Sequence, residues 1–181
     1  MLYLVILVGV SPIVLGSALF QFWKPTSFTN YGELLPPKPV IDNGMQHMDG
    51  KPFSFGDLKG KWIFLTIDSG GCDALCQRKL YTMRQVRLTQ GTDMDRIERA
   101  WLIDDDARPA SGLSSEYQGT RQVSAAKSPA AIAQFPADKS VRDHIYIIDP
   151  LGNVMMRYPR DADPTKIKKD VTRLLKVSRI G

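Results

Sequence analysis

The feature that most constrains the fold is a short apolar run, WIFLTI, at residues 62–67. Its length and its β-branched and aromatic residues indicate a strand buried on both faces of a sheet. A stripe with helical spacing follows it, formed by Cys76, Leu80 and Met83. A second apolar run at residues 99–103 predicts another buried strand. The chain therefore begins its folded part as a strand, a crossover helix and a second, parallel strand.

The C-terminal third predicts a hairpin and a closing helix. Residues 144–159 contain two strand-like runs on either side of the turn sequence DPLG at 149–152. The last helix begins with Asp163 as its N-cap and Pro164 as its first residue. A shorter helix is predicted at residues 129–135. This order of elements predicts an α/β protein, a three-layer α/β/α sandwich.

The N-terminal segment predicts a membrane anchor. Residues 1–23 contain no charged side chain, and a helix of this length crosses a bilayer core of about 30 Å. A cleaved signal peptide is the alternative, with the small residues 16–18 as its cleavage site. We expect a single transmembrane helix at 1–23, a proline-containing tether at 24–40 and one folded domain at 41–181, on the far side of the membrane.

The only two cysteines, Cys72 and Cys76, lie between the first predicted strand and its helix. This end of the strand is where α/β sheets place their chemistry. A helix N-terminus stabilises a thiolate, although the carboxylate of Asp73 opposes this effect. At positions i and i+4 both sulfurs lie on one helix face, which suits one Cu(I) ion, or a disulfide if the first turn is distorted. We expect Cys76 to be the more buried and Cys72 the more exposed.

Other metal-binding or proton-transferring side chains are few, since the chain has two histidines. His144 precedes the hairpin, and we consider it a candidate metal ligand or acid/base partner at the thiol site. Met45, His47 and Met48 form a second, weaker soft-ligand cluster. The net charge of +5 comes from residues 157–181, with eight Lys or Arg against three Asp or Glu. A single aromatic residue, Tyr158, lies among these basic residues, so nucleic acid is not an expected partner.

Several of these motifs together resemble a known family. The entry segment DGKPFSFGDLKGKW at 49–62, the C-x-x-x-C after a strand, the hairpin and the closing helix are similar to thioredoxin-fold proteins. More closely, they resemble the Sco family of membrane-anchored cytochrome oxidase assembly factors, over most of residues 41–178. The chain lacks the proline that usually follows each family cysteine, and the family's histidine position falls on Val141, three residues before His144.

The resemblance implies a thioredoxin-like domain and a function. In the family, two cysteines and one distant histidine bind copper and serve assembly of the dinuclear copper centre of oxidase subunit II. By resemblance, Cys72 and Cys76 take the cysteine roles, with Cu(I) as the metal and His144 as a third ligand. We expect a single-pass protein of the bacterial inner membrane, facing the periplasm. Its client is a cytochrome c oxidase subunit or another copper-dependent or thiol-containing protein.

Two other functions remain open at this point. The first is a membrane-anchored thiol–disulfide oxidoreductase, in which Cys72 attacks a client disulfide and Cys76 resolves the mixed disulfide. The second is a non-catalytic assembly scaffold that keeps the thioredoxin-like fold and uses the basic helix at 166–179 to dock onto a complex.

Overall fold

A computed structural model describes residues 2–22, 30–42 and 44–180. The helices are α1 (Leu2–Phe22), α2 (Ala74–Leu88), α3 (Ser111–Glu116), α4 (Pro129–Ala133) and α5 (Pro164–Val177). The strands are β1 (Glu33–Pro39), β2 (Gln46–His47), β3 (Trp62–Asp68), β4 (Ile97–Ile103), β5 (Thr120–Ser124), β6 (Ile145–Ile148) and β7 (Asn153–Tyr158).

The described strands form one seven-stranded sheet in the order β1-β7-β6-β3-β4-β5-β2. Strand β3 lies at its centre, parallel to β4 and antiparallel to β6. All seven residues of β3 are buried, which is why its sequence is a continuous apolar run instead of an alternating one. The predicted strands at 62–67 and 99–103 and the predicted hairpin are confirmed.

The two faces of the sheet carry separate cores. On one face, Phe64 of β3 packs with Met83 of α2 and Val171 of α5. On the other face, Leu65 packs with Phe55, from the 3-10 turn Phe55–Leu58, and with short helix α4. The sheet therefore lies between two covering layers, and the predicted α/β architecture is confirmed.

Three segments differ from the sequence prediction. Residues 33–39 of the predicted tether form edge strand β1, which pairs with β7, while residues 24–29 lie outside the described part of the chain. The three prolines of β1 argue against a strand when the sequence alone is considered, although an edge strand tolerates proline. The sequence of the entry segment predicts a hairpin-like structure. Its start does pair back on β2, through an antiparallel bridge between Pro52 and Gln46, but residues 55–58 form a 3-10 turn instead of a strand. Strand β5 was not predicted, because Val123 is its only buried residue.

Residues 2–22 form helix α1, on which Leu7 and Ile13 are among the exposed large apolar side chains. Counted over the described residues, no helix is both long enough and apolar enough to cross a membrane. The transmembrane anchor therefore stays a prediction.

Candidate functional site

The turn between β3 and α2 positions the two cysteines. Helix α2 begins at Ala74, and Asp73 is its N-cap. The Asp73 carboxylate accepts a hydrogen bond of 2.9 Å from the Cys76 backbone N–H, and this bond holds the pKa of Asp73 below its ordinary value. Cys72 therefore lies outside the helix, and its φ of 42° is a left-handed conformation that is uncommon for a residue with a side chain.

This backbone conformation brings the two sulfurs together. Cys72 and Cys76 form a disulfide, with their Cα atoms 5.1 Å apart. On a regular helix the two side chains would share a face without being bonded. Of the two arrangements that the spacing allows, the structure therefore shows the disulfide, and the left-handed Cys72 is the distortion that permits it.

The disulfide is buried. Cys76 is fully buried, and only 2% of Cys72 is exposed. Leu80, Trp101 and Tyr117 pack around the sulfurs. The structure keeps the expected order, with Cys76 more buried than Cys72, but the difference is small because Tyr117 and the neighbouring helix α3, which the sequence did not predict, cover this end of the sheet.

We expect this cover to control reduction of the disulfide. A thiol reductant reaches a buried sulfur only after local opening, so truncating the cover by Tyr117→Ala should accelerate reduction on the order of tenfold. The rate is measured by quenching samples of dithiothreitol-treated native protein and counting free thiols. Tyr81→Ala, on an exposed side chain of α2, is the control. Equal rates in the two variants would show that Tyr117 does not limit access.

His144 lies immediately before β6. Its Nδ1 is 2.9 Å from the carbonyl oxygen of Tyr158, and its ring packs edge-on against Tyr146. The next residue, Ile145, is in register with Thr66 of β3, and Thr66 is in register with Trp101 of β4. These three side chains therefore lie on one face of the sheet, the face of the disulfide cluster. Because side chains alternate along an extended chain, His144 lies on the opposite face of the sheet.

The predicted metal ligands Cys72, Cys76 and His144 do not form a metal centre in this oxidised state. Within the described part of the chain, no three His, Cys, Asp or Glu side chains lie close enough together to hold a metal ion. The weaker cluster is not assembled either, since Met45 is a core residue and His47 packs against Phe53. Cys72, Cys76 and His144 as metal ligands stay predictions.

A buried ion pair that the sequence analysis missed lies next to the cysteine turn. The Nζ atom of Lys79 is 2.8 Å from Oδ2 of Asp68, and both side chains are buried. Lys79 also donates to the carbonyl oxygens of Ile67, at 3.3 Å, and Arg142, at 2.5 Å. Burial lowers the pKa of Lys79, and the charge of Asp68 opposes that shift. Lys79 lies three residues after Cys76 and therefore on the same helix face. The helical stripe that predicts burial of Cys76 also predicts burial of Lys79.

Carboxylates of the β4–α3 loop hold the cysteine turn in place. Asp105 accepts hydrogen bonds from the backbone N–H groups of Gly70, at 2.9 Å, and Ala107, at 3.2 Å. Asp104 forms a bidentate ion pair with Arg142, with both contacts at 2.8 Å. Gly70 lies so close to this loop that an added Cβ would overlap the carbonyl oxygen of Ala107. Gly70, the first glycine of the pair before Cys72, therefore permits close contact between two backbones.

Comparison with solved structures identifies the fold. Yeast Sco1 with copper bound superposes with a TM-score of 0.63 at 16% identity, over 78% of this chain and 96% of Sco1. Bradyrhizobium japonicum ScoI with copper bound gives a TM-score of 0.55 at 18% identity, over 75% of this chain and 99% of ScoI. BsSco, a Sco-family cytochrome c oxidase assembly protein in which a disulfide switch has been identified, gives 0.55 at 13% identity, over 83% and 98% of the two chains.

Comparison of sequences gives a consistent result. No curated protein sequence matches the chain. The profile of a thioredoxin-like domain family matches residues 62–178, the segment that runs from β3 through the cysteine turn to the end of α5. The chain thus has the thioredoxin-like fold of the Sco proteins, and it belongs to the family of transmembrane-like, thioredoxin-like C-terminal domains.

Proposed function

We propose that this protein is a Sco-like assembly factor that carries Cu(I) on Cys72 and Cys76 to a haem–copper oxidase. The observation that supports this is the joining of both sulfurs at the carboxyl end of β3, in a fold shared with copper-bound Sco1 and ScoI. The disulfide is the oxidised form of the site. A dithiol reductant supplies two electrons and two protons, which break the S–S bond and leave two thiols that can bind copper.

The chemistry of the two donors fits this cargo. Thiolates are soft ligands that favour Cu(I), and metal binding releases the thiol protons. The backbone N–H groups at the start of α2 favour negative charge at this position. His144 lies on the other face of the sheet, so it becomes a third ligand only if this segment of the chain moves toward the sulfurs. The contact of its Nδ1 with the carbonyl oxygen of Tyr158 leaves Nε2 available to bind a metal. Two thiolates therefore make up the ligand set that we assign first.

Delivery of copper requires the cover over the site to open. Because both cysteines are buried in the oxidised form, Tyr117 must move away before a client ligand can reach a bound ion. Copper then passes by shared coordination, in which a client ligand binds before the first protein thiolate leaves. Helix α3 is only six residues long and has no buried residue, so its displacement disrupts little packing.

The proposed location is the bacterial inner membrane, with the domain facing the periplasm. Residues 1–23 carry no charge, and exposed Leu7 and Ile13 of α1 suit a lipid environment better than water. The oxidising side of the membrane is consistent with the disulfide. The proposed client is the copper-binding subunit of a cytochrome c oxidase.

A thiol–disulfide oxidoreductase is the second candidate, and the bonded state of the two cysteines favours it. In this mechanism the Cys72 thiolate attacks a client disulfide and releases one client thiolate. Cys76 then attacks the mixed disulfide, which leaves the client reduced and the Cys72–Cys76 bond formed. Burial of Cys72 in the oxidised state means that this reaction also needs the cover to open.

An anaerobic Cu(I) competition titration of the reduced protein separates the candidates. As a metallochaperone, the protein binds one tight equivalent, which is lost in Cys72→Ser and in Cys76→Ser. His144→Ala, matched with His47→Ala, shows whether His144 completes the site. Copper binding no tighter than in the double cysteine variant would rule out the proposal. If Cys76→Ser then traps a mixed disulfide with a client, the protein is an oxidoreductase.

A further inference from the structure

A second site is indicated by a buried cation that has no counterion among the described residues. Arg99 of β4 is 5% exposed, and its Nη2 donates to the carbonyl oxygen of Gln118 at 2.7 Å. Its Nε and Nη1 atoms are fully buried and have no acceptor within the same part of the chain. Burying a charged group is costly unless it is paired, so this guanidinium is expected to attract a negatively charged group.

The surroundings of Arg99 add positive charge. Desolvation and the nearby charges of Arg87 and Arg84, both on α2, lower the pKa of Arg99, although Arg87 is itself paired with Asp95 at 3.2 Å. Over the described ranges of the chain, no carboxylate forms an ion pair with Arg99 or Arg84. The neighbouring carboxylate, that of Glu98, is paired with Arg121 at 3.3 Å.

A hydroxyl group lies beside this cation on the neighbouring strand. Thr120 of β5 is in register with Arg99, and its Oγ1 is buried without a hydrogen-bond partner among the residues that the structure describes. The turn before it, Gln118–Gly119, is exposed, so Arg99 lies just beneath the surface. Gly119 has φ of 81°, and an added Cβ would lie 3.1 Å from Nη2 of Arg99. A side chain at this position would crowd the guanidinium.

We propose that Arg99 and Thr120 form a binding site for a small tetrahedral oxyanion, of which inorganic phosphate is the simplest example. Because Nε and Nη1 of Arg99 and the hydroxyl of Thr120 are buried, the exposed Gln118–Gly119 turn must move aside to admit the anion. The guanidinium N–H groups then donate to the anion's oxygens in charge-assisted hydrogen bonds, and the Thr120 hydroxyl donates a further one. Arg84 strengthens the attraction through its charge. The site lies between α2 and the α3–β5 turn, and it uses none of the residues assigned to copper.

Thermal unfolding in the presence of inorganic phosphate tests the proposal. The full-length protein is unfolded in increasing phosphate, with sodium chloride adjusted to keep the ionic strength constant. We expect a saturable rise in Tm of about 2–4 °C, because a ligand that binds only the folded state stabilises it. Arg99→Met should lose this dependence, while Arg121→Gln, on an exposed residue of the next strand, should keep it.

Substitutions at Thr120 and Arg99 distinguish binding at this site from a general effect of salt on stability. Thr120→Val keeps the shape of the side chain and should weaken phosphate binding severalfold in isothermal titration calorimetry. If Arg99→Met does not fold, Arg99→Lys retains the charge without the planar set of donors and should also bind phosphate more weakly. An unchanged Tm of the wild-type protein, an equal rise in Arg99→Met, or a rise with acetate but not with phosphate would each overturn the proposal.

Discussion

Replacing Lys79 with methionine is expected to lower the free energy of unfolding by about 3–5 kcal/mol. The substitution leaves the Asp68 carboxylate buried without its counterion. It also removes the hydrogen bonds that Lys79 donates to the carbonyl oxygens of Ile67 and Arg142. Methionine occupies a similar volume, so the loss reports the uncompensated charge and the lost hydrogen bonds, with little contribution from a cavity.

Urea unfolding followed by circular dichroism measures this effect. Lys168→Met, on an exposed residue of α5, is the matched control and should change stability by less than about 0.5 kcal/mol. The double variant Lys79→Met, Asp68→Leu should recover much of the loss, because neither charge then remains. A loss below about 1 kcal/mol in Lys79→Met alone would mean that Asp68 finds another partner or takes up a proton.

Gly70→Ala is expected to have the second largest effect, destabilising the protein by about 1–3 kcal/mol or more. The added methyl group would overlap the carbonyl oxygen of Ala107, and it would lie 3.3 Å from the backbone nitrogen of Arg108. The obstacle is backbone, so no side-chain rotation relieves it and one of the two loops must move. That movement breaks the hydrogen bond from Gly70 to Asp105 and displaces the turn that carries Cys72.

The neighbouring glycine provides a matched control. In Gly71→Ala the nearest atom to the new methyl group is Oγ of Ser69, at an ordinary contact distance of 3.4 Å. Urea unfolding and the rate of disulfide formation in a glutathione buffer should both change strongly in Gly70→Ala and little in Gly71→Ala. Similar behaviour of the two variants would show that the contact with Ala107 does not constrain the turn.

Much of the fold could be predicted because its main elements have strong patterns. Strand β3 is apolar throughout, and Ile167, Val171 and Leu175 of α5 repeat every four residues and are all buried. Strand β1 and helix α3 could not be predicted in this way. The prolines of β1 contradict strand propensity, and α3 has no buried residue that would set a period. Contacts with other parts of the chain determine both elements.

The position of the candidate site could be predicted, but the burial of both its cysteines could not. The spacing of Cys72 and Cys76 allows a disulfide, yet their burial depends on Tyr117, which is forty-one residues from Cys76 along the chain. His144 packs against Tyr146, two residues further along the same extended chain, and this alternation is the reason that His144 lies across the sheet from the disulfide. Arg99 falls within a predicted apolar strand, and only the structure shows that its charge lacks a partner among the described residues.

The prolines of β1 have a consequence for the aggregation of this protein at high concentration. An exposed sheet edge can act as a template for aggregation, because its unpaired N–H and C=O groups can recruit another extended chain. Pro36, Pro37 and Pro39 have no N–H group to offer, and the pairing of β1 with β7 is irregular between Leu34 and Lys38. This edge therefore resists growth by strand addition, and oxidised and reduced molecules share that protection.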